Sequence, residues 1–154
     1  VKPDGTDTPL LHVGEFKRGK GKFVFKDFVE THEILDHHAD YPFILTTNRV
    51  LEQYNVGTMT RRTPNVQIFT EDVLWINPAD ARAKGIQNGD FVKVESPRGE
   101  CRVKAHVTED VKPGILSTTF HFPELEVNNV TSGVTDEIAH CPEYKVVSVR
   151  VSRV

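Results

Sequence analysis

The segment NPADARAKGIQNGDFVKVESPRGE, residues 77–100, constrains the fold more than any other part of this chain. Asn77 is a good N-cap, Pro78 stands at the first helical position where its missing N–H is harmless, and Asp80 falls at the third, giving a weak capping box and a favourable dipole contact. Gly85 suits a left-handed C-terminal cap. A helix of about two turns from Pro78 to Lys84 is therefore expected, followed by a tight turn at Asn88-Gly89-Asp90 and a strand from Phe91 to Glu95. SPRGE turns the chain, and Cys101, Val103, Ala105 and Val107 then alternate with Arg102, Lys104 and His106 as the hairpin partner.

Other short strands flank this unit. YPFILTT, from Tyr41, is β-rich with Pro42 at the strand entry, and it delivers the polar loop TTNR. Asn65 to Phe69 reads as a further short strand, VLWI at Val73–Ile76 as a buried one, and ILSTTF as another after the VKPG turn. KVVSVRVSRV closes the chain with alternating valines. The intervening HFPELEVNNVTSGVTDEIAHCPEY is polar and weakly periodic, and a loop longer than about 15 residues is usually functional. Many short strands with one small helix indicate a closed or nearly closed barrel.

Residues 1–40 differ in character and read as a linker or arm ahead of a domain at 41–154. They open on the Pro/Gly/Thr-rich VKPDGTDTPLL and pass through the basic, glycine-punctuated FKRGKGK. Within the arm, GKFVFKDFV has the apolar alternation of a short strand, fit to pack on the body of a longer parent protein. His32, His37 and His38 lack suitably spaced carboxylate or thiol partners, so this segment is expected to be irregular and its histidines solvent-exposed. Met59 is the only methionine among the 154 residues, so a fragment of a longer chain is expected.

At this length roughly 70% of the unfolded surface is buried on folding, enough for one core. A composition of 38% hydrophobic and 27% charged residues with net charge −3 does not ask for nucleic acid. The longest apolar runs, such as Phe43–Leu45 and Val73–Ile76, are far short of the ~20 residues of a membrane span. Cys101 and Cys141 show no CxxC spacing and read as unpaired thiols.

Chemistry, if any, gathers in the loops. TTNRVLEQYNVGTMTRRT is donor-rich, with Gly57 permitting close backbone approach. Arg49, Arg61 and Arg62 either clamp phosphate or, for Arg61-Arg62, form a solvated surface pair; the sequence alone leaves both open. His121, at the end of a strand, is read as structural, donating to a loop carbonyl, ahead of acid–base catalysis. No GxSxG, HExxH, Walker-type or GxGxxG motif occurs in the right context, so no catalytic residue and no metal ligand is assigned. The residues alone describe a β-barrel whose loops suit an anionic, multiply hydrogen-bonding ligand.

YPFILTTNRVLEQYNVGTMTRRT, INPADARAKGIQNGDFVKVESPRGE, and HFPELEVNNVT with CPEYKVVSVRV together resemble, over about Tyr41 to Arg150, the molybdopterin dinucleotide-binding domain that closes the large subunits of the dimethyl sulfoxide reductase superfamily. The pairing of LEQYNVGTMTRRT with HFPE, VNNVT and PEYK is most similar to formate dehydrogenases. Asn48 departs from that pattern, since relatives often carry glycine before the arginine; asparagine tolerates left-handed geometry. The resemblance implies a mainly-β, double-psi (aspartate-decarboxylase-like) barrel with one or two short helices. Thr46, Thr47, Arg49, Gln53, Tyr54, Thr58, Met59 and Thr60 would line a first cofactor loop, with His121, Asn128, Tyr144 and Lys145 contacting pterin or phosphate from the other side. It further implies bis-molybdopterin guanine dinucleotide with molybdenum or tungsten, and two-electron oxidation of formate to carbon dioxide. An iron-sulfur cluster, the remaining domains of a large subunit and electron-transfer subunits would lie elsewhere, in a cytoplasmic enzyme. This chain alone would be inactive. Alternatives are a superfamily member acting on nitrate or another oxyanion, and a ψ-barrel used as a protein-binding module without pterin.

Overall fold

The computed structural model describes residues 4–7, 10, 12 and 14–154. The linker expected in VKPDGTDTPLL lies partly outside the described residues. Six strands, β1 (Phe43–Thr47), β2 (Val73–Ile76), β3 (Phe91–Ser96), β4 (Gly99–Val107), β5 (Ile115–Thr118) and β6 (Val147–Arg153), close into a barrel in the order β1-β5-β2-β4-β3-β6. The pairs β1·β5 and β2·β4 are parallel and the rest antiparallel, giving the double-psi barrel with two short helices that the resemblance implies.

Alternation fills the interior. Leu45, Leu74, Ile76, Val92, Val94, Val103, Leu116, Val147 and Val149 point inward and are essentially inaccessible. Fully burying such a side chain contributes about 1.5–3 kcal/mol. Branched side chains, stiff at χ1, suit these pleated positions.

Register decides where function can sit. Leu45 pairs with Val147 and Leu74 with Thr118. The C-terminal ends of β1 and β5 and the N-terminal ends of β2 and β6 therefore share one mouth of the barrel, where the two long connections, 48–72 and 119–146, converge.

The capped helix forms as expected at its start, although it ends at Ala83 and the Asp80 carboxylate makes no capping box. Helix α2 (Pro78–Ala83) starts from Asn77, whose Oδ1 accepts the Ala79 N–H at 2.9 Å, and Gly85 takes φ 65°. The structure adds tertiary roles. Asn77 Nδ2 donates to the Val111 carbonyl (2.8 Å), and the Asp80 carboxylate accepts the Gly114 N–H (2.7 Å), so these two side chains tether the β4–β5 connection.

Two expectations are corrected. Asn65–Phe69 is not a strand: Thr63 caps a 3-10 turn at Pro64–Gln67, with Pro64 at its first position. The cap-and-proline signal outweighs a brief apolar pattern. Likewise His32–His38 is not irregular, because His32–His37 forms helix α1. A six-residue helix is not stable on its own. It is held by Glu33, 1% exposed, whose carboxylate receives both Arg98 Nη atoms (2.8 and 3.0 Å), the Ser148 N–H (2.8 Å) and the Ser132 hydroxyl (3.2 Å). Thr31 caps the helix and donates to Glu143 at 2.6 Å. The barrel thus grips the chain from Thr31 onward, inside the stretch assigned to the arm.

Glu33 is buried, and losing the cation that faces it strands its charge, so Arg98→Ala is expected to lower unfolding stability by about 3 kcal/mol. Lys93→Ala, on the solvated outer face, should leave the denaturant midpoint nearly unchanged. Cys101 gives a second check, since burial pushes its thiol up to about 12. Peptide mapping after alkylation at pH 8 should find Cys101 unmodified until denaturant is added.

Candidate cofactor-binding site

Both mouth loops rest on one buried side chain. Asp72, immediately before β2, accepts the Thr119 hydroxyl, the His121 N–H (3.1 Å) and the Phe122 N–H (2.9 Å). These donors fix the chain leaving β5. His121, 0% exposed, then reaches across to the other loop: Nε2 accepts the Val50 N–H (3.2 Å) while Nδ1 meets the Asn55 carbonyl. With Nε2 accepting, Nδ1 is the ring nitrogen placed to donate to the Asn55 carbonyl. The structural role read for His121 is what the geometry displays: its ring does not line the cavity, and both nitrogens are engaged.

Loop 48–62 is braced from within. Gln53 Oε1 accepts the Thr60 hydroxyl (2.6 Å), Gln53 Nε2 donates to the Phe69 carbonyl (3.1 Å), and Thr60 Oγ1 accepts the Tyr54 N–H (3.2 Å). The left-handed residues are Asn55 (φ 47°) and Gly57 (φ 67°); Asn48 has no positive φ, so the tolerance expected of it is not used. A Cβ on Gly57 would stand 2.8 Å from the His121 carbonyl oxygen, which makes glycine necessary there. Arg61 forms a bidentate pair with Glu124 (2.6 and 3.0 Å) and lies over the Phe122 ring, joining the two loops. Hydrogen bonding from Arg61 holds the Glu124 carboxyl below the usual range. Arg62 faces solvent.

Between the loops opens a cavity of about 270 Å³ lined by Thr47, Arg49, Val56, Phe120, Asn128, Tyr144 and Lys145. Five of the sequence-assigned residues meet here. The Arg49 guanidinium lies over Phe120, 5.4 Å from the ring centroid, and donates to Asn55 Oδ1 at 3.3 Å. Lys145 Nζ donates to the Thr47 carbonyl, and the Thr47 hydroxyl donates to the Tyr144 carbonyl (3.1 Å), so the segment entering β6 is laced to the end of β1. The cavity is smaller than the ~300–1,000 Å³ usual for a small-molecule pocket. It has room for part of a large ligand and not for the whole.

The remaining assigned residues are dispersed. Successive strand residues face opposite ways. Thr46 accordingly leaves the cavity for an outer cleft of about 420 Å³ with Asn48, Trp75, Lys112 and Ser117. Tyr54, Thr58 and Met59 are solvent-exposed, and Gln53 and Thr60 serve the loop itself. Val56 and Phe120 were not singled out from sequence, and neither was Asp72, whose signal was a carboxylate abutting the buried VLWI strand.

A pterin dinucleotide combines pyrophosphate anions with heterocycles rich in N–H donors. The mouth matches that chemistry with two cations, a phenol, an amide and an apolar floor. Asn48 Oδ1 adds an independent sign, being a buried acceptor that no described residue satisfies. Such an atom costs about 1–3 kcal/mol until a donor reaches it. The residues present therefore fit the group.

Fold and site together describe a double-psi barrel with a cation-lined polar cavity at one mouth. Residues 43–148 match the family described as the Molydopterin dinucleotide binding domain, and this chain belongs to it. It is 44% identical over 150 residues to F420-dependent formate dehydrogenase subunit alpha of Methanocaldococcus jannaschii, covering 96% of this chain and 22% of that one. Against F420-dependent formate dehydrogenase 2 subunit alpha of Methanococcus maripaludis it is 37% identical over 155 residues, covering 99% and 23%. Periplasmic nitrate reductase of Desulfovibrio desulfuricans is 35% identical over 120 residues, 75% of this chain and 15% of that one. The chain thus spans about a fifth of the length of the curated formate dehydrogenase relatives. Acetylene hydratase from Pelobacter acetylenicus shares the fold, with TM-score 0.66 at 14% identity over 76% of this chain and 19% of that one.

Gly57→Ala is expected to dislodge loop 48–62 while the barrel stays folded. The measurement is limited trypsinolysis, with cleavage after Arg61 and Arg62 at least several-fold faster in the variant.

Proposed function

We propose that this chain forms one wall of the molybdopterin guanine dinucleotide site in a formate dehydrogenase-like oxidoreductase, a longer polypeptide that oxidises formate to carbon dioxide. The observation that carries the reading is the convergence of Arg49, Asn128, Tyr144 and Lys145 on one cavity. Its support in kinship is the similarity to formate dehydrogenase alpha subunits along nearly the whole chain.

In this reading Arg49 and Lys145 neutralise pyrophosphate, Arg49 through its planar fork and Lys145 through the donors left free by Thr47. Asn128 and Tyr144 supply paired donors and acceptors to heterocycle edges, and Phe120 with Val56 excludes water from one face. Asn48 and Thr46 present a second polar edge outside the barrel. Bound cofactor, carrying molybdenum or tungsten, would supply the two-electron chemistry. The proposal gives this chain no catalytic residue: it binds, orients and compensates charge. The metal's protein ligand, an iron-sulfur cluster and the electron-transfer subunits belong to the rest of the assembly. The relatives' names suggest coenzyme F420 as the acceptor.

The test is formate-dependent reduction of a viologen dye by the intact, anaerobically purified polypeptide, assayed alongside its molybdenum and tungsten content. Activity with metal present is expected. Metal without formate activity would move the substrate to nitrate or another oxyanion, the alternative that the nitrate reductase similarity favours. Removing a charge-assisted contact worth about 1.4 kcal/mol weakens binding tenfold, so Arg49→Ala and Lys145→Ala should each cut cofactor retention by about that factor. Unchanged metal content in both variants would leave the pterin-free, protein-binding barrel as the better account.

A further inference from the structure

Residues 21–30 contain no helix, turn or bend, and every one of them is exposed. Within this run Phe23 is 107% exposed, Phe25 86% and Phe28 85%, with Val24 and Val29 similarly bare. An aromatic side chain buries roughly 150–250 Å² when it packs, so leaving three bare is a strong departure from how such residues are normally placed. Phe23 and Phe25 alternate with Val24 and Lys26, the period of a strand. Nevertheless, residues 21–30 pair with no strand among the described residues.

The barrel cannot supply the missing pairing. It is closed, with β6 joined to β1, and so offers no free edge. A second copy of the arm is a poor partner as well. Residues 16–28 carry Lys17, Arg18, Lys20, Lys22 and Lys26 against the single acidic Asp27, so two arms laid side by side would place mostly like charges together. Lysines flanking a short apolar strand also discourage indiscriminate edge association. What remains is the rest of the polypeptide. The 37% identical relative aligns with 99% of this chain, arm included, yet the chain covers only 23% of it.

We propose that residues 22–28 add a strand to a sheet edge in the part of the same polypeptide outside these 154 residues, Phe23 and Phe25 entering its apolar core. This rests on the reading of the chain as one domain of a longer protein, and it goes beyond that reading by identifying how the domain is fastened. The Glu33–Arg98 pair anchors the arm on the barrel side. The strand anchors it on the other, so the barrel mouth is held from two points.

Hydrogen exchange followed by mass spectrometry on the full-length polypeptide, purified without partner subunits, tests the idea. Amides of residues 22–28 should exchange at least a hundredfold more slowly than an unstructured peptide, at every protein concentration. In the Phe23→Asp/Phe25→Asp double variant that protection should vanish while β3–β4 amides keep theirs, which shows that the variant is folded. Exchange at the unstructured rate in the parent protein would overturn the proposal. So would protection that appears only with partner subunits, which assigns the strand to them, or only with rising concentration, which assigns it to a second copy. Metal content and formate activity are scored separately. A protected arm in an inactive, metal-free polypeptide would therefore defeat the proposed function and leave this inference standing.

Discussion

Asp72 is a carboxylate removed from water, and such a group persists only where donors surround it. Two backbone N–H groups and a hydroxyl do so here, all from the segment leaving β5. Because Asp72 immediately precedes β2, this cluster locks the end of one strand to the start of its antiparallel neighbour. It also decides where His121 stands, and His121 in turn holds Val50 and Asn55. The first loop is therefore positioned through two relays from one side chain. The cavity wall formed by Arg49, Val56 and Phe120 inherits that precision.

Strand periodicity sorts the neighbouring threonines into different jobs. Thr47 points inward and bonds to the Tyr144 carbonyl, while its own carbonyl receives Lys145. Thr46 points outward beside Asn48 and Ser117. A ligand that touches both must wrap the rim of the barrel, with one part inside the mouth and another against the outer face. The unsatisfied Asn48 oxygen lies on that outer path.

Local signals were readable in the sequence wherever their cause is local. Asn77, Pro78 and Gly85 define a helix without reference to the rest of the chain, and alternation in Cys101–Val107 defines a strand face. The barrel followed from the number and spacing of such pieces. Thr63 followed by Pro64 is an equally local signal, and it prevails over the brief apolar pattern of Asn65–Phe69. Glu33, Asp72, Gln53 and Thr60 were beyond such reading. Their roles depend on partners brought close by folding: Glu33 meets Ser148, 115 positions away, and Asp72 meets Phe122, 50 away. Family resemblance named the site residues as a group. It could not separate Arg49, Asn128, Tyr144 and Lys145, which share a cavity, from Gln53 and Thr60, which hold the loop that shapes it.

Closure has a further consequence for function. A closed barrel packed with valine and leucine leaves no room inside and no edge outside, so ligand contacts are confined to its mouth and rim. A mouth of about 270 Å³ between the two loops has room for only part of a dinucleotide. Tight retention requires extensive burial of the ligand. If the proposed cofactor role holds, an opposing wall has to come from elsewhere, and its separation from this one would change the fit of every contact. A barrel that is rigid within itself is useful in such a site only if it is also fixed relative to its counterpart. Helix α1, pinned through buried Glu33 just after the exposed aromatic run, lies where the proposed strand would apply that constraint.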